Sequence, residues 1–250
     1  MSLRDVVASR VRRALSAAVH RGWEWIQRHG EISPSTPGGR RFGYLGEGAC
    51  IGFPVGALYG EPWISVGDHT LIGTHVTISA GFMPGLDLGP DLIVKIGKGC
   101  SIGRGSHIVG HQSISIGDDV FFAPYVYVTD QNHAYADLDT PIGRQWPENN
   151  SVVIGDGCWL GTGAIVLPGA RLGRNVAVAG GAVVRGEFPD HCVIAGVPAK
   201  IVRHYDPAEG WLPPMPYRTP LISVEELAAL SVDGMEGLQL LQDRLREESA

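Results

Sequence analysis

The tract Thr129-Asp130-Gln131-Asn132-His133-Ala134-Tyr135 sets an imidazole among groups able to orient it. Histidine has an ordinary pKa near 6.5, so it is largely neutral at pH 7 and can take the proton of a hydroxyl as that hydroxyl attacks. Asp130 and Asn132 either hold such a ring or meet the group it deprotonates. Both residue types also build tight turns through local hydrogen bonds, and the sequence leaves the two readings open. Tyr135, Arg144 and Trp146 lie in the same polar stretch. Aromatic rings beside polar groups suit a sugar face and suit packing on a neighbouring subunit equally well. The four cysteines, Cys50, Cys100, Cys158 and Cys192, are too scattered for a disulfide framework or a close-set zinc group, and they read as reduced thiols.

A six-residue period must position these residues. Val66, Ile72 and Ile78 keep the step, as do Ile96, Ile102, Ile108 and Ile114. After a two-residue slip it resumes at Ile116, Phe122 and Val128, then runs from Ile154 through Leu160, Val166, Leu172 and Val178 to Val184. Glycine usually follows the aliphatic residue directly. This period fits neither a helix nor a sheet of long hairpin strands, but it fits short strands joined by tight turns. Three units make one coil, and coils stack at the strand spacing of about 4.8 Å. Residues 154–171 and 172–189 read as two complete coils. The expected architecture is an all-β solenoid, residues 46–205, with helical flanks.

Two excursions break the period. Residues 79–95, with Pro84, Gly85, Gly89 and Pro90, read as a plain turn-rich surface loop, whereas the long polar tract 129–151 reads as function-bearing. Residues 1–45 read as an amphipathic helix over 3–29 and a linker. Residues 206–250 read as a proline-rich connector followed by a helical segment opened by a Ser223/Glu226 capping box. Both helices are expected to cap the open ends of the stack.

The chain has 250 residues, 44% of them hydrophobic, and carries a net charge of -6 with 35 glycines. That composition excludes a disordered chain and argues against nucleic-acid binding. Residues 1–30 hold six arginines against Asp5 and Glu24, a local +4, which leaves -10 for the remainder. No apolar run approaches the roughly 20 residues of a membrane span, and the expected location is the cytoplasm. For the basic first helix, peripheral membrane contact stands as the alternative to capping.

The run Ile154-Gly155-Asp156-Gly157-Cys158-Trp159-Leu160-Gly161, the later Gly196-Val197-Pro198-Ala199-Lys200 and the hexapeptides between them carry a family likeness. They resemble the hexapeptide-repeat acyltransferases of the maltose and galactoside O-acetyltransferase type. The resemblance implies a left-handed parallel β-helix, a handedness that periodicity alone does not supply, and a homotrimer. It implies an acyl-CoA-dependent O-acyltransferase with acetyl-CoA as donor, no required metal, and a hydroxyl of a sugar, glycan or glycolipid-type acceptor.

In that reading His133 is the general base, and Trp159 packs against the coenzyme. The Thr162 N–H faces the thioester oxygen, and Gly180 allows close backbone approach. Lys200 and Arg203 match basic residues near the coenzyme phosphates. Arg185-Gly186 stands where the family has Thr-Lys, so Arg185 substitutes for the missing lysine. On the acceptor side Gly105 replaces an asparagine, with Arg104, Ser106 and His107 beside it, and His111 replaces an aspartate. These departures, and the extra coil material at 46–91, point away from free maltose or galactoside. Two rivals stand beside this reading: a metal-dependent carbonic anhydrase using His107, His111 and His133, and a repeat scaffold without catalysis.

Overall fold

The computed structural model describes residues 3–215. The chain divides into two units, Met1–Leu212 and Pro213–Ala250, and the Ser223/Glu226 capping box lies outside the described residues. In the first unit each short strand pairs in parallel with the equivalent strand of the next coil, so the chain visits three sheets in turn and returns. The first face holds Tyr44–Leu45, Ile64–Val66, Val94–Ile96, Ile114–Ile116, Val152–Ile154, Arg171–Leu172 and Glu187–Phe188. The second begins with Cys50–Ile51 and the third with Leu58–Tyr59.

The inward positions are the periodic ones. On the first face Val66 stacks on Ile96, then Ile116, Ile154 and Leu172. On the second Ile72, Ile102, Phe122, Leu160 and Val178 stack likewise. Nearly all are fully buried in one continuous core. β-branched side chains suit this arrangement, because each packs on a like shape one coil away.

Two corners differ from the expected period. Leu172 pairs with Phe188, so that coil closes after 16 residues instead of 18. Its return to the first face is the two-residue corner Arg185-Gly186, made possible by the left-handed φ of 86° at Gly186. The slip between Ile114 and Ile116 is a single strand on which both residues point inward, aligned with Val94 and Ile96. The coil also starts slightly earlier than position 46, with Tyr44–Leu45 paired to Ser65–Val66.

Glycines after the inward residues answer a spacing requirement. Gly97 and Gly155 have no left-handed φ; a Cβ on either would run into the corner backbone of the next coil, at Gly117 and Gly173 respectively. The aspartates that follow tie the same corners together. Asp118 Oδ1 accepts from the Lys98 amide at 3.0 Å, Asp156 Oδ1 from the Asp118 amide at 2.9 Å and Asp190 Oδ1 from the Arg174 amide at 2.8 Å. Buried thiols do similar work, since Cys100 Sγ donates to the Gly117 carbonyl at 3.2 Å and Cys158 Sγ to that of Gly173 at 3.1 Å. Burial pushes the Cys158 thiol up to about 11, which keeps it protonated and unreactive.

The N-terminal end of the stack departs from the capping expectation. The first helix, Leu3–Gly30, forms, but Val11, Leu15 and Val19 are 53%, 63% and 69% exposed. The place it was expected to fill is taken by the connector: Ile32 exchanges backbone hydrogen bonds with Ile51 at 3.0 and 2.9 Å, and Phe42 is buried. At the other end the second face continues past the coils as antiparallel strands, Cys192–Gly196 with Ala199–Asp206 and then Gly210–Leu212. Strand pairing therefore runs through residues expected to be connector.

Phe122 is wholly buried in the middle of the second face. Phe122→Ala should lower the unfolding free energy by about 3–5 kcal/mol, measured by urea denaturation, because the rigid coils on either side cannot collapse into the cavity.

Candidate active site

The corner leading from the third face back to the first is where both excursions depart. Strands Thr77–Ala80, His107–Gly110 and Tyr127–Thr129 run side by side to this corner. Asp130 follows the last of them and is wholly buried. Its carboxylate accepts the backbone amides of His111 at 2.8 Å, Gln112 at 2.8 Å and Ser113 at 2.6 Å. A buried carboxylate holding three donors is engaged in fixing the corner of the previous coil. It is a positioning residue for His111, and the Asn150 amide, donating to its carbonyl at 2.7 Å, pins the far end of the long excursion.

That excursion is ordered. Gln131–Asn132 pairs antiparallel with Glu148–Asn149 to make a short hairpin. Beyond it, Asp137 accepts from the Asp139 amide, the Thr140 amide and the Thr140 hydroxyl, which hold its carboxyl below the usual range. Gln145 closes the segment by donating to the carbonyls of Asp137 and Thr140, each at 2.8 Å.

His133 leaves the hairpin exposed to solvent. His111 is half-buried, and the Phe82 ring meets it edge-on at 4.2 Å; Trp146 lies 5.7 Å beyond Phe82. Burial holds the His111 pKa below its ordinary value; Asp130 pulls it up and nearby His133 pushes it down. His111 Nδ1 is buried without a hydrogen-bond partner among the described residues. The corner thus joins Phe82, His111, His133 and Trp146 from three separated segments. Phe82 was hidden in the excursion read as a plain loop. The signal that finds it is register, since pairing Ile78 with Ile108 and Ala80 with Gly110 carries Phe82 to the level of Gln112, beside His111.

Other expected residues lie elsewhere. Asn132 is exposed on the hairpin, and Tyr135 is 76% exposed with no ring contact among the described residues. His107 points outward from the third face, its ring 6.0 Å from that of Tyr127, away from the corner that His111 occupies. Among the described residues no three His, Cys, Asp or Glu side chains gather as a metal-holding group. The set His107, His111 and His133 is not one within a single chain.

Trp159 stands on the second face, half-exposed between Phe121 and Ala177. Thr162 and Gly180 stack at the corner from the second face to the third: the Gly181 amide donates to the Thr162 carbonyl at 2.9 Å, and a Cβ on Gly180 would lie 3.1 Å from that carbonyl oxygen. The Thr162 N–H has no acceptor among the described residues. Lys200 and Arg203 lie on the antiparallel strand Ala199–Asp206, opposite Ala195 and Val193. Arg185 is exposed at the corner type that His133 occupies, two coils further on. One whole face therefore separates His133 from Thr162 and Gly180 within a chain.

The model of a family described as bacterial transferase hexapeptide (six repeats) matches residues 151–186, and that of the hexapeptide repeat of succinyl-transferase matches residues 93–129. Over both stretches the chain is similar to the hexapeptide repeats of these transferases. WbbJ of Escherichia coli, a provisionally named lipopolysaccharide biosynthesis O-acetyl transferase, is 40% identical over 107 residues, 40% of this chain and 55% of WbbJ. The galactoside O-acetyltransferase of Lactococcus lactis is 33% identical over 110 residues, 44% of this chain and 52% of that protein. The chain spans about half the length of these curated relatives. Among solved structures, AntD, an N-acyltransferase from Bacillus cereus in complex with dTDP and 3-hydroxybutyryl-CoA, matches with a TM-score of 0.55 at 18% identity. The match covers 66% of this chain and 84% of AntD, and the likeness is one of fold.

His111 makes stability pH-dependent in this hexapeptide-repeat protein. Its folded pKa lies below 6.5, so the unfolded chain binds a proton that the folded chain refuses. Stability should fall as pH drops through 6.5 toward that lower value and be level above it. His111→Gln should flatten this part of the profile, read from urea unfolding at about pH 5 and about pH 8.

Proposed function

We propose that the protein is an acetyl-CoA-dependent O-acyltransferase acting on a hydroxyl of a sugar, glycan or glycolipid-type acceptor. The observation that carries this reading is an exposed imidazole, His133, at one corner and an acceptor-less backbone N–H, that of Thr162, at the next. The O-acetyltransferase relatives support the donor and the reaction class. The aromatic wall of Phe82 and Trp146 supports a ring-bearing acceptor.

In the reaction His133 takes the proton of the acceptor hydroxyl as its oxygen attacks the thioester carbonyl. The Thr162 N–H stabilises the oxyanion. The C–O bond forms, the C–S bond breaks, and the proton passes from the imidazolium to the leaving thiolate. Trp159 and Gly180 line the coenzyme arm; Lys200 and Arg203, with Arg185, face its phosphates. His111 and Asn132 meet the acceptor while Asp130 sets the position of His111.

The coil is left-handed in this proposal, and the protein is a cytoplasmic homotrimer. The separation of His133 and Thr162 by a face supports the trimer, in which the base of one protomer meets the donor corner of the next. Residues 1–45, 46–205 and 206–250 then serve as flank, catalytic coil and tail.

Thiol release from acetyl-CoA, measured against a panel of sugars and sugar nucleotides, tests the chemistry. His133→Ala should lower kcat by about 10²- to 10⁴-fold with the circular dichroism spectrum unchanged. Unaltered turnover in that variant would remove His133 from the reaction.

The shared site has its own test. His133→Ala and Gly180→Leu should each be inactive alone. Refolded together in equal amounts, they should recover about a quarter of wild-type activity, the share of interfaces that join two intact halves. No recovery would mean that base and donor site come from one chain.

A further inference from the structure

Among the described residues, the helix Leu3–Gly30 is the largest feature that the coil leaves uncovered. It spans about 42 Å at the ordinary rise per residue. It meets the coil in its last two turns, where Gly30 packs on the Phe53 ring and Glu24, Gln27 and Arg28 border a recess with Gly52 and Thr74. Val11, Leu15 and Val19 follow one another at four-residue steps, with Trp25 and Ile26 on the same side, and all five are exposed. Arg10, Arg12, Arg13, Arg21 and Arg28 lie along the rest of the helix.

We propose that this helix docks on an anionic lipid surface, lying in the headgroup plane with its apolar stripe in the acyl boundary. Charge selects the partner. The helix carries +4 while the remainder of the chain carries -10, so an anionic surface attracts the helix and repels the body. The shape of the stripe agrees. Steps of four drift around the helix and leave a wide apolar side instead of a narrow seam. The straight seam available to a second copy would run through Leu15, Ala18, Gly22 and Trp25, whose middle pair offers almost no side chain to interlock. Trp23 and Trp25 sit toward the end that joins the body, a depth suited to rings that are apolar with one polar edge. Among the described residues no helix is long and apolar enough to cross a membrane, so the contact is peripheral.

The test is flotation of the full chain with phosphatidylcholine vesicles, with and without phosphatidylglycerol, at low salt. The protein should float with the phosphatidylglycerol vesicles, and tryptophan emission should shift to the blue. Replacing Arg10, Arg12 and Arg13 together by Gln should weaken binding on the order of 100-fold. Leu15→Glu combined with Val19→Glu should abolish both flotation and the emission shift, with the oligomeric mass in sedimentation unchanged. Failure of the intact chain to float with phosphatidylglycerol vesicles overturns the proposal. So does binding that survives the double glutamate change, which would be surface adsorption without the stripe. A smaller oligomer in that double variant also overturns it, because a second copy would then have been covering the stripe.

Discussion

Parallel strands repeat at about 4.8 Å, and every corner of this coil has to fit inside that interval. The demand is severe where backbone follows backbone, and it explains why Gly97 and Gly155 stand at turns whose φ any residue could adopt. The same closeness lets Asp118, Asp156 and Asp190 reach an amide one coil away, and lets buried cysteines reach carbonyls. These corner polar groups are thus satisfied between coils, while the aliphatic ladders fill the interior. A site resting on such corners inherits their rigidity.

Most of this was written in the order of residues. The inward ladder is periodic, and a period of six has few physical solutions, so the three-faced coil is legible in residue order alone. What escaped were features decided by tertiary competition. The first helix has the amphipathic pattern of a cap, yet Ile32 and Phe42 reach the opening coil first because they are joined to it by a short tether. The early closure at Phe188 depends on one φ at Gly186, a torsion that residue type permits without announcing.

The candidate site divides along the same line. The family likeness singled out His133 and the donor residues; His133 and the Thr162/Gly180 pair lie at adjacent corners, whereas Trp159, Lys200 and Arg203 lie on strands of the second face. Asp130 looked able to touch either an imidazole or an acceptor; within this chain three amides take its carboxylate. Nothing in the local sequence names amides seventeen to nineteen residues earlier as its partners; only the fold register does. Phe82 was overlooked for a related reason. Its neighbours are turn formers, and its importance comes from lying one coil below His111.

Both excursions leave from the same kind of corner, and the strands around them stay in step, Val66 with Ile96 and Ile116 with Ile154. The length of chain inserted there is therefore invisible to the core. Over generations such a corner is a place where segments can be lengthened, traded or lost while the scaffold is inherited intact. Descendants of one coil can then diverge by rewriting two loops, with the other corners left as they were.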